Sequence, residues 1–384
     1  MQLMARLLLT AENFAFGPIG KLLTVADLLK KRGHELVFAG FGTSLQLAND
    51  YPFDAVYEID TDNSNSRNKL KKIISEVDML ISSMDLQSVL LAKDLGKPTV
   101  YIDCLFWFWE DIPKPLFDID LYVREKSIND VKDCENEKKF KLKIKNLYSV
   151  GPIISEIKKE NRIHQAIVSY GGGEASHWYK VGRDTNYPDV MTSILVNYVD
   201  WKSFDRVIIA TGKHILKHLS SKFKNTQFEF TNCSSHFGFL KEMSKSEIIL
   251  TTAGLVTTQE AFQSETPLIF LPPSNNSHYV LLDELRDQIP DIPSVHLADF
   301  MSRLDLRGKP EEESIPAVMN QLRMLENSPI LQTKLGEKIN LLVKTRDKWS
   351  ELSVNNNKRF MKNLGQNGAK DVVDKIETIL LGNL

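Results

Sequence analysis

The chain has 384 residues, 42% of them hydrophobic and 26% charged, with a formal net charge of -2 and a pI near 6.5. That length is a soft prior for two domains, with ample apolar residue to build their cores. The charge balance excludes the strong basic excess of a general nucleic-acid binder, and no run approaches the roughly 20 apolar residues of a membrane helix.

Cys104, Cys134 and Cys233 are odd in number and widely spaced. They form neither a CxxC pair nor a metal-ligand spacing, so a reducing compartment is expected and a cytoplasmic location with it. Met1 to Thr10 is apolar but short and is followed by Glu12, so it reads as a first strand rather than a signal peptide.

In chain order, Leu7-Leu8-Leu9 reads as a buried strand ending at a turn-rich loop with Gly17, Pro18 and Gly20. Ile19, Leu22, Leu23 and Ala26 then follow the spacing of an amphipathic helix, and Gly33 is placed to stop it. Leu36 to Ala39 is the next strand, Asp78 to Ser82 another, Ser88 to Leu95 a helix and Pro98 to Ile102 a strand ending at Asp103, with Leu121 to Val123 a further strand. This rhythm predicts parallel βαβ units. Residues 124 to 145 are dense in charge of both signs and read as a solvated excursion, and Tyr148 to Pro152 as a linker between domains.

The second half repeats the rhythm. Ala166 to Ser169 is a strand entering Gly171-Gly172-Gly173, and a helix lies in Asp189 to Val199. Strands follow at Arg206 to Ala210 and Phe228 to Phe230, a short helix at Gly238 to Met243, and a strand at Ile248 to Thr251. Leu255 to Gln263 is a helix, Leu268 to Leu271 a strand, and helices fill most of residues 315 to 384.

The chemistry concentrates in residues 246 to 272, SEIILTTAGLVTTQEAFQSETPLIFLP. A strand ends at Thr252, and Gly254 is expected to let the chain turn sharply into a helix. The first-turn N–H groups of a helix lack internal partners and its dipole is positive there, so a phosphate fits such a place. Thr257 and Thr258 could add hydroxyl donors. Glu260, one turn further on the same face as Thr257, is placed to hold ribose hydroxyls.

Gly254, Thr257, Glu260, Pro267 and Pro272 match, in order and spacing, the donor-binding region of the GT-B nucleotide-sugar glycosyltransferases. The chain resembles that superfamily, most of all the lipid-intermediate GlcNAc transferase of peptidoglycan synthesis and the UDP-glycosyltransferases. Weaker likeness extends over residues 15 to 40, Tyr148 to Ile153, Val168 to Gly173 and the terminal Gly368 to Leu380. The glycine loop is also similar to one in the sugar-nucleotide hydrolase of pseudaminic acid synthesis.

The resemblance implies an α/β chain of two Rossmann-like domains with parallel sheets facing a central cleft. Residues 1–150 would form the acceptor domain, 151–365 the donor domain, and 366–384 a last helix returning to the first. It implies a hexosyl-type transferase acting without metal or cofactor. A nucleoside diphosphate sugar of UDP or TDP type is the co-substrate and a small or apolar molecule the acceptor. Neither nucleic acid nor a membrane span is implied. Leu255 to Thr257 would hold diphosphate and Glu260 ribose, with Gly171, Gly172, Gly173, Thr258 and His236 nearby. The acidic residue that holds sugar hydroxyls in many members falls at Asn276, next to Asn275.

The loop base of the family, His or Asp, falls at Pro18, which cannot take a proton, and the helix-start proline falls near Lys21. Glu12, in the same loop, is the expected replacement and Asp103 the second candidate, because strand-end loops line the cleft in open α/β sheets. His177 could meet a phosphate. Phe106, Trp107 and Trp109 of the run CLFWFWEDIP could form an aromatic acceptor wall, or could be core. Two alternatives to the transferase stand: hydrolysis or epimerisation of a sugar nucleotide on the same fold, and an inactive partner protein, favoured by the loss of the base at Pro18.

Overall fold

The first sheet is built from apolar runs that a parallel sheet buries on both faces. β1 (Arg6–Ala11), β2 (Glu35–Gly40), β3 (Ala55–Glu58), β4 (Met79–Ser83), β5 (Thr99–Asp103), β6 (Leu121–Glu125) and β7 (Leu147–Val150) are all parallel, in the order β3-β2-β1-β4-β5-β6-β7. This computed structural model describes residues 4–126, 128, 130–173, 187–233, 235–309 and 311–382. The chain divides into two units, Met1–Ser155 with Leu364–Leu384, and Glu156–Asn363.

In the first unit α1 (Gly17–Lys31) follows β1, with Pro18 in its first turn. Proline costs nothing there, since the N–H it lacks would have no helical partner. Gly33, at φ 84°, closes the helix. The Gly33 amide donates to the Lys30 carbonyl and the His34 amide to that of Leu29, a Schellman stop. α2 (Gly42–Ala48), α3 (Arg67–Ser75) and α4 (Leu86–Asp94) complete the crossovers.

Two stretches differ from the sequence reading. Residues 124–145 are not a solvated excursion: they hold the end of β6 and α5 (Asp130–Phe140), and Arg124, Asn136 and Phe140 are buried. Arg124 donates to Ser149 Oγ at 2.7 Å and to Glu137 Oε2 at 2.6 Å. Charge is dense here because it pairs across β6, β7 and α5. Tyr148 to Val150 is not linker but the last strand, β7.

Gly151 follows β7, where a Cβ would lie 1.9 Å from the Gln366 carbonyl oxygen, so only glycine fits. The final helix packs on α1, where Arg32 pairs with Asp374 and Glu377 at 2.5 Å.

The second sheet is also parallel: β8 (Ile163–Gly171), β9 (Arg206–Thr211), β10 (Phe228–Thr231), β11 (Ser246–Thr251) and β12 (Leu268–Phe270), ordered β10-β9-β8-β11-β12. Around it lie α6 (Tyr187–Tyr198), α7 (Lys213–Lys222), α8 (His236–Lys245), α9 (Leu255–Gln263), α10 (Asn276–Gln288), α11 (Glu311–Glu326), α12 (Pro329–Lys344) and α13 (Arg346–Leu364). The final helix is α14 (Ala369–Gly382). No helix among the described residues is long and apolar enough to cross a membrane.

Candidate functional site

In each sheet the strand order reverses direction once, between β1 and β4 and between β8 and β11. Ligands of open α/β sheets bind outside the carboxyl ends of the strands at such a reversal. The two crevices are built differently.

In the second unit β8 ends at Gly171 and its neighbour β11 at Thr251. Gly171 (φ 60°) and Gly173 (φ 63°) take the left-handed conformation that favours glycine, and Gly172 lies between them in the turn. Gly254 caps α9 with ordinary angles, φ -83° and ψ 130°. Its backbone does not need glycine, which corrects the sharp turn expected there. A Cβ at Gly254 would instead touch His278 Nε2 at 3.5 Å. The missing side chain thus leaves the N-terminus of α9 open beside an imidazole. The sequence reading does not include His278 in the site. Its signal is Asn275 three residues earlier, a helix N-cap type.

Asn275 caps α10 by accepting from the His278 amide at 2.8 Å, and Ser274 Oγ lies 3.0 Å from His278 Nδ1. Leu255 and Thr257 are half-buried, while Val256 and Thr258 are buried. Glu260 is buried, with Oε1 3.1 Å from Nε2 of His236, the first residue of α8. That contact lacks hydrogen-bond geometry: neither atom has a hydrogen-bond partner among the described residues. The same holds for Thr258 Oγ1, Asn275 Nδ2 and Asn276 Oδ1, although Asn276 Nδ2 donates to Ser314 at 2.8 Å. A buried polar atom left unpaired costs about 1–3 kcal/mol, so a group of them calls for an explanation. His177 lies outside the described residues.

In the first unit Glu12 follows β1, half-buried, and its amide donates to the Ser83 carbonyl at 2.9 Å. Asp103, the last residue of β5, is fully buried. It accepts from Tyr122 Oη at 2.5 Å, Leu105 N at 2.8 Å and Trp109 Nε1 at 3.1 Å. Burial pushes its carboxyl up to about 6, and these three donors oppose the rise. Burial raises the Tyr101 phenol well above its ordinary value, and the charges of Asp103 and Glu12 add to the rise.

Of the aromatic wall, Phe106 is core, edge-on to Tyr122 and Phe140, which corrects the acceptor contact expected of it. Trp107 is only 3% exposed, and its Nε1 has no hydrogen-bond partner among the described residues. Trp109 is half-buried, its indole turned to Asp103.

No family model matches the chain, and no curated protein sequence is similar to it. Solved structures do match over nearly the whole chain. Os79 from O. sativa in complex with UDP superimposes with a TM-score of 0.54 at 12% identity, over 97% of this chain and 100% of that one. The spinosyn forosaminyltransferase SpnP gives 0.52 at 13%, over 98% and 99%. The glycotransferase of kitacinnamycin gives 0.51 at 11%, over 97% and 98%. This chain has the GT-B fold. The two parallel sheets and the resemblance read from residues 246 to 272 agree with it.

Proposed function

We propose that this GT-B chain is a glycosyltransferase, taking its donor, a nucleoside diphosphate sugar of UDP or TDP type, at the β8–β11 crevice. The observation that carries this reading is the group of unpaired buried polar atoms beside the open N-terminus of α9. Donors and acceptors there suit different parts of one ligand. The first-turn amides of α9, Asn275 Nδ2 and His278 would meet diphosphate. Glu260 Oε1 with His236 would meet ribose hydroxyls, and Asn276 Oδ1 the sugar. That SpnP is a forosaminyltransferase and that Os79 was solved with UDP support the same reading.

In the reaction the acceptor lone pair forms a bond to the anomeric carbon. The carbon–oxygen bond to the diphosphate breaks, and its electron pair leaves with the diphosphate. Helix dipole and amide donors stabilise the charge that develops there. The acceptor proton passes to Glu12, in the loop between β1 and α1 that leads to Pro18, where the superfamily's base stands. Asp103, with its proton affinity raised by burial, is the second candidate.

The test is to follow donor consumption and product formation by chromatography, with and without acceptor. A transferase consumes donor slowly alone and rapidly with acceptor. Rapid release of free sugar without acceptor would make the chain a hydrolase, and no consumption with any donor a partner protein.

A further inference from the structure

We propose that the second unit carries a further ligand site, for a small zwitterion of the amino-acid kind with an apolar body. The site lies at the amino ends of β8 and β12, opposite the strand ends that form the donor crevice, so it stands independently of the transferase reading. Three segments border a cavity of about 470 Å³ there. They are residues 159–162 leading into β8, the turn from α9 into β12 at Glu265 to Pro267, and the face of α13 from Ser350 to Lys358. That volume falls in the range of small-molecule sites. Glu265 follows α9 in the left-handed conformation, φ 60°. Its amide donates to the Phe262 carbonyl and that of Thr266 to Ala261, a Schellman stop that fixes where Glu265 stands.

The lining holds three cations and three carboxylates, so it has no net charge to draw a polyanion. Lys159 and Lys358 are both taken by the Glu265 carboxylate, at 2.5 Å and 3.0 Å. Arg162 is the cation left over. It donates to the Glu265 backbone carbonyl and makes no ion pair among the described residues. Glu247, the other carboxylate that its charge feels, is held by Arg346 at 2.6 Å. Partial desolvation pushes the Arg162 guanidinium below its ordinary value, against the pull of Glu265 and Glu247. A guanidinium in that position suits a carboxylate, which it holds through two parallel N–H donors. Glu160 and Glu351 of the same lining also make no ion pair among the described residues. They repel a second negative charge and favour an ammonium. Pro267, buried at the start of β12, and Val354 on α13 add apolar surface. One carboxylate, one ammonium and an apolar body match these three kinds of lining.

Leucine, leucinamide and N-acetylleucine share one apolar body and differ in charge. Their affinities for the full chain are measured by ligand-observed NMR, with and without UDP. Arg162, Glu160 and Glu351 are exposed, so each ion pair to the ligand is worth up to about fivefold. Leucine is therefore expected to bind about fivefold more tightly than leucinamide, which lacks the carboxylate, or N-acetylleucine, which lacks the ammonium. Arg162→Gln should erase the preference over leucinamide. The double variant Glu160→Gln and Glu351→Gln should erase the preference over N-acetylleucine. Both should melt like the parent chain, and UDP should leave leucine bound. No leucine binding, equal binding of the three probes, or preferences unchanged in the variants would overturn the proposal. Displacement of leucine by UDP would place it in the donor crevice and overturn the proposal equally.

Discussion

The two strand-end crevices share a topology and differ in chemistry. Each lies where a parallel sheet reverses its order. In the first unit the strand ends carry carboxylates already taken up locally: Asp103 accepts from Tyr122, Leu105 and Trp109, and Asp85 from Ser88. In the second they carry helix N-termini, glycines, Asn275 and His278, mostly donors, with Glu260 held against His236. What each can bind is decided by the few residues just past the strands, not by the strands themselves.

The sharpest way to break this contrast is Glu12→Gln. It should cut turnover by about 10²- to 10⁴-fold, the usual worth of a general base, and leave UDP affinity unchanged. Steady-state kinetics beside calorimetry checks it, and full turnover would remove Glu12 as the base.

Next in size is an opposed pH dependence of stability. Asp103 binds its proton more tightly folded than unfolded, so its contribution falls as pH rises from about 4 to about 6. His296 of the second unit runs the other way. Burial pushes it down to about 4, so its contribution is lost as pH falls from about 6.5 to about 4. Each amounts to a few kcal/mol, on the order of 1.4 kcal/mol for every tenfold change in proton affinity. Across this window, urea midpoints of Asp103→Asn should therefore rise with pH more steeply than those of the parent, and those of His296→Gln less steeply. Parallel profiles for all three proteins would show that neither group is held as described.

Glu260→Ala should weaken UDP by roughly 10- to 100-fold, the worth of hydrogen bonds to a charged group. An unchanged UDP dissociation constant would sink the ribose assignment. The smallest effect belongs to Thr258→Val. It replaces a buried unpaired hydroxyl by a methyl of the same shape, so thermal stability should hold or improve by at most about 1 kcal/mol while UDP affinity falls. A clear loss of stability would mean that the hydroxyl has a partner in the free protein.

Much of the fold could be read from the sequence because parallel strands buried on both faces are plain apolar runs. β1 and β11 are of this kind, and the same pattern places α9 at its observed bounds. Residues 124–152 mislead for the converse reason. The pairing of Arg124 with Glu137 and Ser149 depends on which strands become neighbours, and a local window sees only its charge. In the candidate site, Gly254 and Glu260 stand in a spaced motif. Four aromatic residues in succession at 106–109 do not reveal which of them the core takes. Burial alone sorts Phe106 and Trp107 from Trp109.

The most direct measurement is thermal denaturation of the full chain with UDP, TDP, GDP and ADP in turn, repeated on Glu260→Ala. A ligand that binds only the folded state raises its apparent stability by mass action. The account predicts a rise in melting temperature with UDP or TDP that is reduced or lost in the variant. No rise with any diphosphate, or one that Glu260→Ala leaves intact, would contradict a donor site at the end of β11.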